Sequence, residues 1–190
     1  MLLDLGCKYV ILGHSERRHV LGESDAFINR KMRVALAAGL EVIFCCGETL
    51  DQRQADQTEA VLDRQLREGL AGMSTEAVTG LSIAYEPVWA ISDHGRHATP
   101  EQARKAHAII RACFGRMFGE DSARALTIQY GGSVKPDNAA ESLSQPGVDG
   151  ALLGGASLHA DQFLAIVRAG AGDPHAEESS TSHFSPSGKR

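Results

Sequence analysis

Five short apolar runs punctuate the chain, each followed by a helix-like or turn-rich stretch, and that alternation limits the possible folds more than any other feature. The runs are KYVILG (8–13), LEVIFCCG (40–47), LSIAYE (81–86), LTIQYGG (126–132) and VDGALLGG (148–155). Each is too short for a buried helix and closes on Gly, Glu or a polar turn. Their apolarity is continuous rather than alternating, which predicts strands buried on both faces, as in a parallel sheet. Between them, SDAFINRKMRVALAAG (24–39) opens on a Ser/Asp cap and ends on a glycine. LDQRQADQTEAVLDRQLREGL (50–70) reads as one helical stretch, with apolar residues at 55, 62 and 66. Thr99, Pro100 and Gln102 supply an N-cap, a first-turn proline and a capping box for a helix reaching about Phe118. Shorter helices are expected over 136–143 and 160–169. Five βα repeats imply an α/β fold with a parallel sheet.

The 190 residues fit one domain, here 1–169. The remainder, GAGDPHAEESSTSHFSPSGKR (170–190), is rich in Ser, Gly and Pro and cannot bury enough apolar area to order itself; it is expected to be disordered. A net charge of -5 with no basic patch argues against nucleic acid as a partner. The opening MLLDLGCKYV lacks a cationic signal-peptide region, and no stretch approaches the roughly 18 apolar residues of a membrane span. Cys7, Cys45, Cys46 and Cys113 show neither CxxC nor Cys/His ligand spacing, so no metal site is expected. They read as reduced thiols packed as small hydrophobes in the cytoplasm.

The strand ends carry the chemistry. His14 follows the first run and precedes Ser15-Glu16, a helix start. Backbone N–H groups and the helix dipole disfavour a cation there, so a neutral imidazole is expected, able to donate a hydrogen bond to a carbonyl oxygen. A structural histidine capping a turn is the other reading. Glu86 ends the third run, where burial at the rim of a sheet raises a carboxyl pKa and makes a better base; a solvated loop acid is the alternative. YGGSV (130–134) and LLGGAS (152–157) put paired glycines after the last two strands. Their backbone N–H groups can approach an anion, in the manner of the phosphate site of (β/α)8 barrels, although tight turns also need glycine. Rigid ends, Pro87-Val88-Trp89 and Ala98-Thr99-Pro100, enclose a short flexible centre, which suits a hinged lid as well as an ordinary loop around a packed tryptophan.

VILGHSERR, CCGETL, AYEPVWAI with ATPEQA, IQYGGSV and DGALLGGASL, in this order and spacing, resemble the signature segments of the triosephosphate isomerase family over roughly residues 1–169. The resemblance implies a partial (β/α)8 barrel of about five of eight βα units. It implies interconversion of dihydroxyacetone phosphate and glyceraldehyde 3-phosphate in glycolysis and gluconeogenesis, with no metal and no cofactor. Residue by residue it makes Glu86 the general base and His14 the group that polarises the carbonyl. Ser15 and Glu16 become their support, and Ser133, Gly154 and Gly155 the phosphate-binding residues. Another phosphate-binding barrel would explain the glycine pairs but not GHSERR and YEPVWAI together.

The chain departs from the family in two places. The lid centre, Ser92 to His97, is one residue longer than the family pattern and has Ser92 where the family places a phosphate-binding glycine; Gly95 is the remaining candidate. Only five units are present, without the family's Asn-x-Lys segment or the loop that docks into a partner subunit. The family's homodimer is therefore not expected to carry over unchanged. Runs 8–13 and 148–153 become open sheet edges, and a catalytically incompetent fragment is the alternative reading. Met1-Leu2-Leu3-Asp4-Leu5-Gly6 reads as the last turn of a helix, so further βα units are expected upstream.

Overall fold

The five apolar runs become five strands: β1 (Tyr9–Leu12), β2 (Glu41–Cys46), β3 (Leu81–Tyr85), β4 (Ile128–Tyr130) and β5 (Gly150–Ala151). The computed structural model describes residues 1–91 and 97–172. The strands lie parallel in one sheet, in chain order. Ile11 pairs with Ile43, Ile43 with Ser82, Ala84 with Gln129 and Gln129 with Gly150. This is an α/β fold with the architecture of an incomplete (β/α)8 barrel.

Eight α-helices intervene among the described residues: α1 (Ser15–His19), α2 (Asp25–Ala37), α3 (Leu50–Gln54), α4 (Thr58–Gly69), α5 (Pro100–Phe118), α6 (Glu120–Ala125), α7 (Ala139–Leu143) and α8 (Ala160–Gly170). Alternate strand residues Val42, Phe44, Ile83, Tyr85, Ile128 and Tyr130 form the core with Ile28 and Met32 of α2, Leu62 and Leu66 of α4, and Ile110 and Phe114 of α5. Burial of this layer supplies the main driving force for folding.

The other face differs from the expectation of two-sided burial. Cys45 and Ala84 are buried there, but Tyr9 and Ile11 of β1 are 54% and 46% exposed. Five strands do not close on themselves, so the end strands keep an uncovered inner face and unpaired edges. The helix boundaries also differ from the expectation. The 50–70 stretch is two helices, because Asp56 adopts a left-handed φ of 56° between them. The expected 136–143 helix begins only at Ala139, since the Asn138 side chain accepts the Lys135 N–H at 2.8 Å and holds a turn. Helix α6 was not anticipated; Gly119, at φ 89°, ends α5 and starts it. The Thr99–Gln102 capping box and Pro100 start α5 as expected. The centre of the expected lid, Ser92 to Arg96 with Gly95 in it, and residues 173–190 of the expected disordered tail lie outside the described residues.

Candidate functional site

Strand β1 hands the chain to α1 through Gly13, whose φ of 79° suits glycine and where a Cβ would sit 2.8 Å from the Cys45 carbonyl oxygen. His14 is therefore placed as the N-cap of α1. Its Nδ1 accepts the Glu16 N–H at 3.4 Å, so the ring proton belongs on Nε2. That Nε2 lies 3.1 Å from Oε1 of Glu86. The other oxygen of Glu86 accepts the Ser15 N–H at 3.0 Å, across 71 residues of chain. The first turn of α1 thus orients both side chains.

Glu86 is only 3% exposed. Burial pushes its carboxyl pKa above the ordinary value, against the opposing pull of His14, the Ser15 N–H, Cys45 and Arg18. Glycines leave it room: a Cβ on Gly131 would come within 2.9 Å of its Cγ, and one on Gly47 would overlap its carbonyl oxygen. Such a carboxylate can take a proton from carbon, and the adjacent Nε2–H can donate to an oxygen gaining charge.

Two supports escaped the sequence reading. Glu48 is fully buried, accepting from the Tyr85 hydroxyl at 3.0 Å, Trp89 Nε1 at 3.0 Å and Arg53 at 3.1 Å. It ties down Trp89 at the start of the expected lid. The signal was present, since an acid closing a buried run is the pattern that singled out Glu86. Arg18 clamps the ends of β1 and β2, donating to the carbonyls of Gly13 at 2.6 Å and Cys45 at 3.1 Å while paired with Asp25. Nothing local in SERRH distinguishes Arg18 from Arg17, which pairs with Glu23 instead.

Ser133 N–H donates to the Ala90 carbonyl at 2.9 Å, and the Ser133 carbonyl accepts Asn138 Nδ2 at 3.1 Å. This pins the glycine turn after β4 to the short helical turn that carries Trp89. An open cleft of about 900 Å3 is lined by His14 and Glu86 on one side and by Ser133, Gly154 and Gly155 on the other. Five of the seven expected site residues therefore share one cavity. Ser15 and Glu16 stand behind it: Ser15 acts through its N–H on Glu86 and Glu16 through its N–H on His14, while the Glu16 side chain points to solvent. Among the described residues no His/Cys/Asp/Glu cluster could hold a metal ion, and no helix is long and apolar enough to cross a membrane.

A buried carboxylate, a histidine and two glycine turns around one cleft narrow the comparison, and the family model for triosephosphate isomerase matches residues 1–170. The chain belongs to the triosephosphate isomerase family. Curated proteins named triosephosphate isomerase from Rhodopirellula baltica and Syntrophotalea carbinolica are each 53% identical to it, over 169 and 168 residues. A third, from Herpetosiphon aurantiacus, is 56% identical over 168 residues. These matches cover 88–89% of this chain but only 66–67% of the relatives. The chain thus spans 66% of the length of the first two triosephosphate isomerases, in keeping with five strands where a (β/α)8 barrel has eight.

Proposed function

We propose that this chain carries the proton-transfer machinery of triosephosphate isomerase, interconverting dihydroxyacetone phosphate and D-glyceraldehyde 3-phosphate. The observation that carries this reading is the Glu86–His14 contact at the wall of a cleft that also holds Ser133, Gly154 and Gly155. A Glu base with a neutral His electrophile is the established pairing of this enzyme. Ionised Glu86 takes the proton from the carbon beside the carbonyl. The Nε2–H of His14 turns from Glu86 to the carbonyl oxygen and stabilises the enediolate. A proton passes by way of His14 from the neighbouring hydroxyl oxygen to the former carbonyl oxygen, and Glu86 returns its own proton to the neighbouring carbon, so that the hydroxyl and carbonyl exchange places. Ser133 and the N–H groups of Gly154 and Gly155 hold the phosphate, and Ser15 and Glu16 keep base and donor aligned. The reaction needs neither metal nor cofactor, and its place is cytoplasmic glycolysis and gluconeogenesis. The homodimer of the full-length family would need surfaces that the missing units supply.

One observation favours a second reading, a catalytically incompetent fragment: the inner face of β1 is uncovered, and a third of each relative's length has no counterpart here. A coupled isomerase assay decides between them. The purified chain is tested alone and after addition of the third of the Rhodopirellula baltica relative that it does not match. Activity of the chain alone, abolished by Glu86→Gln, supports the enzyme reading. Activity only in the mixture, again lost with Glu86→Gln, supports the fragment reading with the same site. Turnover that survives Glu86→Gln would refute the assignment of the base.

A further inference from the structure

We propose that Gln65 is a positioning residue for the base: its side-chain amide clamps both backbone groups of Gly47 and thereby fixes where Glu86 stands. The proposal rests on the reading of Glu86 as the base. Gln65 lies on the buried face of α4 with Val61, Leu62 and Leu66 and is itself only 4% exposed. Its Oε1 accepts the Gly47 N–H at 2.8 Å, and its Nε2 donates to the Gly47 carbonyl at 3.2 Å. A side-chain amide sets an acceptor and a donor side by side in one plane, and so pairs with the N–H and the carbonyl of one residue together. Being neutral, it holds a residue that adjoins Glu48 and touches Glu86 without adding a third charge to two buried carboxylates.

Gly47 passes this constraint on to the base. It follows β2 as Glu86 follows β3. A Cβ on Gly47 would lie 1.8 Å from the Glu86 carbonyl oxygen and 3.3 Å from its Cα, so the two backbones are in direct contact. On either side of Gly47, the Cys46 carbonyl accepts the Glu86 N–H at 2.8 Å and the Glu48 carbonyl accepts the Val88 N–H at 3.0 Å. The backbone of residues 86–88 thus hangs on residues 46–48, and Gln65 holds the middle of that support. The clamp has a firm footing. One turn further along α4, a Cβ on Gly69 would come 2.6 Å from the Phe44 ring of β2, and Asn29 of α2 donates to the Gly69 carbonyl at 2.7 Å. Helix and strand are therefore locked close together where Gln65 reaches across. Without the amide, the buried Gly47 N–H and carbonyl must shift to find other partners, and Glu86 shifts with them. Misplacing a reacting group by about 1 Å costs on the order of 100-fold in rate.

Gln65→Met, which keeps the length of the side chain and removes both bonds, tests this with two readouts. NMR of carbon-labelled glutamate follows the Glu86 carboxyl in the purified chain, its signal assigned by its loss in Glu86→Gln. The coupled isomerase assay follows turnover of the chain alone and with the unmatched third of the Rhodopirellula baltica relative added. In Gln65→Met the Glu86 titration moves down toward the ordinary glutamate value, because a loosened carboxyl loses the burial that raises it. The kcat falls by about 10- to 100-fold with KM within about twofold, since Ser133, Gly154 and Gly155 follow other strands. Leu62→Ala, on the same buried face of α4, is the control for lost stability: it lowers the urea midpoint and leaves the Glu86 titration and kcat unchanged. If Gln65→Met does not fold, Gln65→Asn, whose amide is one methylene short of Gly47, is read the same way. A Glu86 titration that does not move, a kcat within about twofold of the parent, or a Leu62→Ala variant that changes both readouts as much overturns the proposal. A titration that moves in a chain without turnover in either assay supports the clamp and counts against the catalytic reading alone.

Discussion

Replacing Glu48 by alanine should be among the most damaging single changes outside the cleft. Its carboxylate has no exposed surface and receives three donors: the buried Tyr85 hydroxyl, the Trp89 indole and Arg53. Hydrogen bonds to a charged acceptor contribute about 1.5–3 kcal/mol each, but they do not add. In Glu48→Ala the half-buried Trp89 and Arg53 can turn partly to water. Tyr85 cannot, and keeps an unpaired buried hydroxyl beside a new cavity. The expected loss is about 3–5 kcal/mol, comparable to breaking a buried ion pair and a large share of a domain's stability. Glu48→Gln separates geometry from charge. Its oxygen can still accept from Trp89 and Tyr85, so only the charge facing Arg53 is lost, at about 1–2 kcal/mol. Urea unfolding followed by tryptophan fluorescence measures both, and Trp89 is the chain's only tryptophan, so the native signal reports on this contact. An alanine cost below about 1 kcal/mol, or a glutamine cost equal to it, would refute the reasoning.

Three further outcomes are expected. In the assembled isomerase, the acidic limb of the pH–rate profile should lie above the ordinary glutamate value, because burial raises the Glu86 pKa and the proton abstraction proposed for Glu86 uses its ionised form; a limb at or below that value contradicts the proposed role. His107 of α5 is buried, bonded through Nδ1 to the Gly147 carbonyl at 3.0 Å, near Asp149 and Arg111, and burial pushes its pKa down to about 4 from 6.5. The unfolded chain protonates first, so this contribution is complete above about pH 6.5 and falls by up to about 3 kcal/mol toward pH 4; His107→Gln should flatten that part of the stability–pH curve. Gly47→Ala drives a Cβ into the Glu86 carbonyl and should destabilise the chain by at least about 3 kcal/mol, read as a lowered urea midpoint.

Where the deciding interaction is short in sequence and the residues demand one conformation, the sequence by itself determined the outcome. The five strands follow from continuous apolar runs, the start of α5 from Thr99, Pro100 and Gln102, and the placement of His14 at a helix N-terminus from Gly13 and Ser15-Glu16. The open edges follow from counting strand–helix units. Even the break at Asp56 is local, but aspartate tolerates the left-handed conformation without demanding it, so the pattern still read as one helix. Tertiary structure alone decided which groups meet. Nothing near Glu86 in the chain announces that the Ser15 N–H, 71 residues away, holds one of its oxygens. Nothing in CCGET says that Glu48 anchors Tyr85 and Trp89, 37 and 41 residues on. Arg17 and Arg18 look alike in sequence, yet one reaches Glu23 and the other spans two strand ends, because adjacent helical residues point about 100° apart. Side-chain periodicity records which face a residue takes. Its partner depends on strand register and helix packing, which are set by the whole core at once.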